Sequence, residues 1–178
     1  VRGIVSVSDS ADTTTGGIVG INHGTLINCQ FTGVVTGDSE VGGIVGRNES
    51  EGTIDHSTAR AIVTGKSSTG GIAGYNLGAI TGCTNVGSIN TEYQEASLDT
   101  DGFTAKMVDQ INNKMAAADD DATNSVTNVA TDTGGIAGRS SGMILTSVNT
   151  GAVGYEHVGY NVGGIVGRTD GLVSGCVN

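Results

Sequence analysis

Proline and tryptophan are absent from this chain of 178 residues, and it has only four tyrosines and two phenylalanines. A core built on large rings is therefore excluded, and its volume must come from Ile, Val, Leu and Ala. Lys and Arg total 8 against 18 Asp and Glu, giving a net charge of −10. That excludes the basic footprint of a nucleic-acid groove and disfavours anionic lipid surfaces. No apolar run approaches the length of a membrane span, so no membrane insertion is expected. The cysteines are three, an odd count without a Cys-x-x-Cys pair, which argues against a disulfide framework.

What the chain does have is glycine, 31 residues of it, together with many Thr, Ser, Asn and β-branched residues. That mixture reads as short strands joined by tight corners. The apolar fraction of 37% and the regular pattern argue against disorder.

The pattern is a repeat. A Gly-Gly-Ile-(Val/Ala)-Gly block begins at Gly16, Gly42, Gly70, Gly134 and Gly163, in steps of 26, 28, 64 and 29 residues. The long step is one repeat plus an insertion. Each unit continues with a polar residue (Asn22, Asn48, Asn76, Ser140, Thr169), then an aliphatic one (Leu26, Ile54, Ile80, Ile144, Val173). Three positions on comes a small residue: Cys29, Ser57, Cys83, Ser147 or Cys176. A Gly-x-Val-like segment closes the unit at Val35, Val63, Ile89 and Val153, with Gly3-Ile4-Val5 as its counterpart at the start.

Three apolar segments in so short a period predict an all-β fold, a parallel β-solenoid (β-helix) of about five coils occupying 1–178 as a single repeat domain. Propeller blades compete with this reading, but they need longer strands and a period of about 40 residues. Coils stacked about 4.8 Å apart place equivalent residues in ladders. Ile18, Ile44, Ile72, Ile136 and Ile165 are the expected central column, and the Cys/Ser column is a small inward position. The residues before it, Asn28, His56, Gly82, Thr146 and Gly175, suggest a corner with positive φ, a conformation Thr146 suits poorly. A coil cannot bury its inner face alone. The repeat enters at a third segment and leaves after a second, so flanking repeats of a parent chain are expected partners.

Residues 90–133 interrupt the repeat. Met107, Val108, Ile111 and Met115 lie at helical spacing, predicting a helix near 104–118 that Thr104 caps and Asp119-Asp120-Asp121 ends. This stripe either packs on the solenoid flank or presents Met107 and Ile111 to a partner.

The string GGI(V/A)G-x-N-x-G-x-I-x-x-C followed by G-x-V resembles the GLUG-motif repeats of large secreted or cell-wall proteins of bacteria. These occur in adhesin-like proteins and beside the catalytic part of IgA1-specific metallopeptidases. The resemblance covers about residues 1–90 and 126–178. It departs at Ser57 and Ser147, where Cys is preferred, and at the insertion. It implies an extracellular or cell-surface bacterial parent. No catalytic residue carries over, because the zinc motif HExxH is absent.

Chemistry-bearing constellations are few. His23, His56 and His157 fall at different repeat positions, which does not suit zinc. Cys29 and Cys83 stand two coils apart, too far for a disulfide. "SLDTDGF" places Asp99, Asp101 and Gly102 as in part of an EF-hand loop, but the twelfth position from Ser97 is Val108 where a Glu is required. These, with Asp119, Asp120 and Asp121, are weak calcium candidates; no other cofactor is implied. The acids that could form a glycosidase pair sit mostly in corners. Arg47, Arg139 and Arg168 share one repeat position with Ile21 and Tyr75, a broken stripe that is either a solvated edge or a contact for acidic glycans or a carboxylate-bearing partner.

The reading is a non-catalytic structural and interaction module, a stiff repeat spacer presenting corner loops for adhesion. The alternatives are a host glycan or glycoprotein binding domain, using the insertion or Tyr75, Tyr155 and Tyr160, and an accessory region of a secreted peptidase.

Overall fold

A computed structural model describes residues 1–7, 13–91, 131–154 and 160–178. The chain winds as a parallel β-solenoid, and no helix occurs among the described residues. The helix expected near 104–118 lies outside them.

One coil shows the plan. Residues 37–64 supply β6 (Ser39–Gly42), β7 (Val45–Asn48), β8 (Thr53–Asp55) and β9 (Thr58–Thr64). Each strand pairs in parallel with its equivalents in neighbouring coils. The first sheet stacks β2 (Thr14–Gly16), β6, β10 (Ser67–Gly70), β15 (Thr131–Gly134) and β19 (Tyr160–Gly163). The second stacks β3 (Val19–Asn22), β7, β11 (Ala73–Asn76), β16 (Ala137–Ser140) and β20 (Val166–Thr169). The third stacks β4 (Thr25–Ile27), β8, β12 (Ala79–Thr81), β17 (Met143–Leu145) and β21 (Leu172–Ser174). The fourth runs β1 (Arg2–Ser6), β5 (Gln30–Thr36), β9, β13 (Thr84–Asn85) and β18 (Val148–Asn149), with β14 (Ser88–Ile89) also on β9.

A coil thus has four strands where the sequence suggests three segments. The GGIVG block is the reason. It reads as one apolar run, yet the chain turns within it at Gly43-Ile44, so Gly42 ends one strand and Val45 begins the next. Close backbone approach explains the glycines. A Cβ on Gly71 would stand 2.3 Å from the Gly135 carbonyl oxygen of the next coil and 2.4 Å from Asn85 Cγ. Real Cβ atoms do not come so near.

The register across the insertion keeps the coils in step. Gly70 pairs with Gly134 exactly as Gly42 pairs with Gly70, so the long step in sequence is one coil in space.

The core lies inside the coil. Ile44, Ile72 and Ile136 are fully buried, with Ile18 and Ile165 partly buried at the two ends of the same column. Ile54, Ile80 and Ile144 form a second column, and Val35, Val63 and Ile89 a third. Each interior side chain of this size, fully removed from water, contributes about 1.5–3 kcal/mol.

The solenoid makes about four turns rather than five, and the expected corner is present at all five of its positions. Asn28, His56, Gly82, Thr146 and Gly175 have φ of 54, 45, 59, 46 and 64°. Thr146 adopts it despite its β-branch. The residue that follows explains how: Ser147 Oγ donates to the Leu145 carbonyl at 3.0 Å, closing the turn over Thr146. Ser57 closes over His56 in the same way at 3.0 Å, and Cys83 over Gly82 at 3.4 Å. A second left-handed column, Glu40, Ser68, Asp132 and Asn161, has φ of 47–58° and gives no comparable signal in the sequence, because its residues share only polarity.

Candidate functional site

The polar residues of the repeat point mostly inward, and they form ladders. Asn22 Nδ2 donates to Asn48 Oδ1 at 2.7 Å, Asn48 Nδ2 to Asn76 Oδ1 at 2.8 Å, and Asn76 Nδ2 to Ser140 Oγ at 3.1 Å. Each Asn Nδ2 also donates to the carbonyl of a glycine in its own coil, Gly24, Gly52 or Gly78. The buried amides are thereby satisfied, which is the condition for burying them at all.

A second ladder joins Asn85, Asn149 and Asn178. Asn85 Nδ2 donates to Asn149 Oδ1 at 2.8 Å, and Asn149 Nδ2 to Asn178 Oδ1 at 2.6 Å. Sequence reasoning missed it. The signal was available: Asn85-Val86-Gly87 and Asn149-Thr150-Gly151 recur in step with the glycine block, and in each the Gly N–H donates back to the Asn Oδ1.

The cysteine column works like the asparagines. Cys29 N–H donates to Ser57 Oγ at 3.1 Å, Ser57 N–H to Cys83 Sγ at 3.4 Å, and Cys83 N–H to Ser147 Oγ at 3.2 Å. Serine therefore replaces cysteine without loss of role, which accounts for Ser57 and Ser147. All three thiols are free. Burial pushes the Cys83 thiol up to about 11, so at neutral pH it is a protonated packing group rather than a nucleophile.

On the outside, register places Ile21, Arg47, Tyr75, Arg139 and Arg168 in one row across β3, β7, β11, β16 and β20. The Arg47 and Arg139 guanidiniums, from the strands on either side, each lie 5.2 Å from the Tyr75 ring centroid. Both faces of the ring are thus occupied, and Tyr75 meets Ser141 Oγ through its hydroxyl at 3.2 Å. Arg47 is paired with Glu40 at 2.9 Å and Glu49 at 2.8 Å. Burial works against its charge, but these two carboxylates outweigh burial and raise its guanidinium above the ordinary value. A hollow of about 440 Å³ opens beside it, bounded by Thr14, Ile21, Glu40, Arg47 and Glu49.

Of the other sequence candidates, His23 and His56 are described and stand apart. His23 lies 4.0 Å from Glu51 and His56 2.8 Å from Asp55, both exposed. Among the described residues, no group of three or more His, Cys, Asp or Glu could hold a metal ion. Met107, Ile111, Tyr155, His157 and the calcium candidates Asp99, Asp101, Asp119, Asp120 and Asp121 lie outside the described residues, and for Tyr160 only the backbone is described, at the start of β19. No helix among the described residues is long and apolar enough to cross a membrane.

A β-solenoid whose interior polar groups serve its own ladders is a repeat structural module. The GLUG motif, as a family model, matches residues 37–64. That span is one coil, β6 to β9. No curated protein and no solved structure matches the chain. The match indicates a repeat region of GLUG type and no catalytic family.

Proposed function

We propose that this chain is a non-catalytic structural and interaction module of a bacterial surface or secreted protein. It acts as a stiff spacer and presents its corner loops, chiefly residues 90–133, for adhesion. One observation carries the reading. Asn48, Asn76, Asn85 and Asn149, with Ser57, Cys83, Ser140 and Ser147, are spent on coil-to-coil hydrogen bonds in the interior. Their geometry leaves structure as their task and the outer faces and corners for recognition. The GLUG match at residues 37–64 supports the repeat module, and the resemblance of the repeat to those of bacterial surface proteins favours an extracellular setting.

The test is a binding screen of the chain against host glycans and glycoproteins. The control replaces residues 92–130 with a link as short as Thr64–Thr69. Saturable binding that disappears in the control supports presentation by the insertion. Binding that survives in the control contradicts it, and catalytic turnover of any ligand by the chain contradicts the non-catalytic assignment.

A further inference from the structure

Two guanidiniums stack on one tyrosine ring and differ in what neutralises them. Arg47 has Glu40 and Glu49. At the corresponding positions Arg139 has Asp132 and Ser141, and Asp132 Oδ1 is engaged by Asn161 Nδ2 at 2.7 Å. Among the described residues, no carboxylate oxygen lies within 4.0 Å of Arg139 or Arg168.

These two are direct register partners in β16 and β20. Their backbones are therefore about 4.8 Å apart, close enough for both guanidiniums to meet one carboxylate. Stacking on Tyr75 restrains Arg139 without consuming its N–H donors. The acid that both arginines feel is the exposed Asp170, held below the usual carboxylate range by a hydrogen bond from Ser141 and then by Arg139 and Arg168. Arg139 and Arg168 thus share their surroundings with Asp170 and, at the Glu40-equivalent position, Asp132, neither within ion-pair distance of them, on a chain whose net charge is −10.

The surroundings narrow the ligand. β16 is paired on both edges, with β11 and β20, so an extended peptide has no strand edge to join there. Recognition is by side chains. The Tyr75 and Ser141 hydroxyls, 3.2 Å apart, leave oxygen lone pairs beside the arginines, neutral acceptors of the kind sugar hydroxyls donate to.

We propose that Arg139 and Arg168 form a carboxylate-reading pair on the outer face of the second sheet, and that its ligand is a carboxylated glycan, a polymer of uronic acid. The proposal rests on the interaction-module reading and adds to it a second recognition site, on the coil itself, for a ligand separate from any that the insertion takes. Arg139 and Arg168 bind the carboxylate, Tyr75 positions Arg139, and Asp170 competes with the ligand.

The test is calorimetric titration of the whole chain with oligogalacturonate in low-salt buffer, beside a neutral oligosaccharide and a polyglutamate peptide. Saturable binding is expected for oligogalacturonate alone. It falls about tenfold or more in Arg139→Gln and in Arg168→Gln, while Arg47→Gln changes it less than about twofold. Arg139→Lys gives an intermediate loss, because charge remains but the planar fork does not. Asp170→Asn tightens binding about threefold, an effect that a merely structural role would not produce. Thermal melts of all variants, matching the parent, show that the fold is intact. Absence of oligogalacturonate binding, or binding indifferent to both arginines, overturns the proposal. Equal, arginine-dependent binding of polyglutamate overturns the glycan assignment. None of these failures touches the insertion-deletion screen, whose outcome stands separately.

Discussion

The same interior column is filled in two ways along this solenoid. In the early coils it holds Phe31 and Ala59, both buried and apolar; in the later coils it holds Asn85, Asn149 and Asn178, joined amide to amide. The second glycine of each GGIVG block sits over this column in both halves. A Cβ on Gly17 would stand 2.7 Å from the Phe31 ring, and one on Gly135 2.4 Å from Asn149 Cγ. The space is the same and the chemistry differs. An apolar pair fixes only volume. An amide ladder also fixes register and direction, since Asn85 and Asn149 donate their Nδ2 toward the next coil, to Asn149 Oδ1 and Asn178 Oδ1. At this column the later coils are thus more strictly specified, and a change at Asn149 is felt by two neighbours, whereas the early coils carry their amide ladder at Asn22, Asn48 and Asn76.

The largest effect should come where the halves agree. Gly71→Val would drive a side chain into Gly135 and Asn85, and a loss of more than about 4 kcal/mol by denaturant unfolding is expected. A variant as stable as the parent would remove close coil approach as the reason for the glycines.

Breaking the comparison itself comes next. Asn149→Leu strands the Asn178 and Asn85 amides and the Gly151 N–H, and should cost about 3 kcal/mol. Phe31→Leu, at the same column position, should cost only about 1–1.5 kcal/mol, as a modest volume change does. Equal costs would show that the column is read by volume alone in both halves.

Cys83 sharpens the comparison from a column that alternates Cys and Ser rather than switching between halves. Its thiol is raised from 9.0 to about 11 by burial. The contribution is present below pH 9 and is lost as pH climbs toward 11, because the unfolded chain ionises first. The loss should be roughly 2–3 kcal/mol across that window. Cys83→Ser keeps both hydrogen bonds and should abolish this alkaline loss while changing neutral stability by less than about 1 kcal/mol. An unchanged alkaline slope would assign the loss to other groups.

The smallest expected effect separates two threonines of one column. Among the described residues, Thr69 Oγ1 is buried without a hydrogen-bond partner, whereas Thr133 Oγ1 accepts from Asn90 Nδ2 at 3.0 Å. Thr69→Val should be neutral or stabilise by up to about 1 kcal/mol, and Thr133→Val should destabilise by about 1 kcal/mol. The same sign for both in thermal unfolding would contradict this difference.

How much could be read beforehand follows from how the residues repeat. The Ile44–Ile72–Ile136 column and the left-handed corner at Asn28 to Gly175 were legible because each recurs at a fixed offset from the glycine block. Even Thr146 belonged there by position, although its own preference spoke against it; the Ser147 hydrogen bond decided the matter. The four-strand coil was hidden, because Gly42 to Gly46 looks like one run until the turn at Gly43-Ile44 is seen. The Asn85 ladder was hidden by Phe31 and Ala59, which break the column in the early coils. The outer arginine row was visible as an offset. That Arg47 is ion-paired while Arg139, among the described residues, is not could not be read, since it depends on Glu40 reaching Arg47 across seven residues of a turned chain.

The central claim is that buried amide ladders join the coils. Hydrogen exchange of the side-chain amides of Asn48, Asn76, Asn85 and Asn149, followed by NMR, tests it most directly. The account predicts that these Nδ2 protons exchange only through the opening that also releases the Ile44, Ile72 and Ile136 backbone amides, with the same free energy. Exchange at the rate of exposed asparagine side chains, while those backbone amides stay protected, would contradict it.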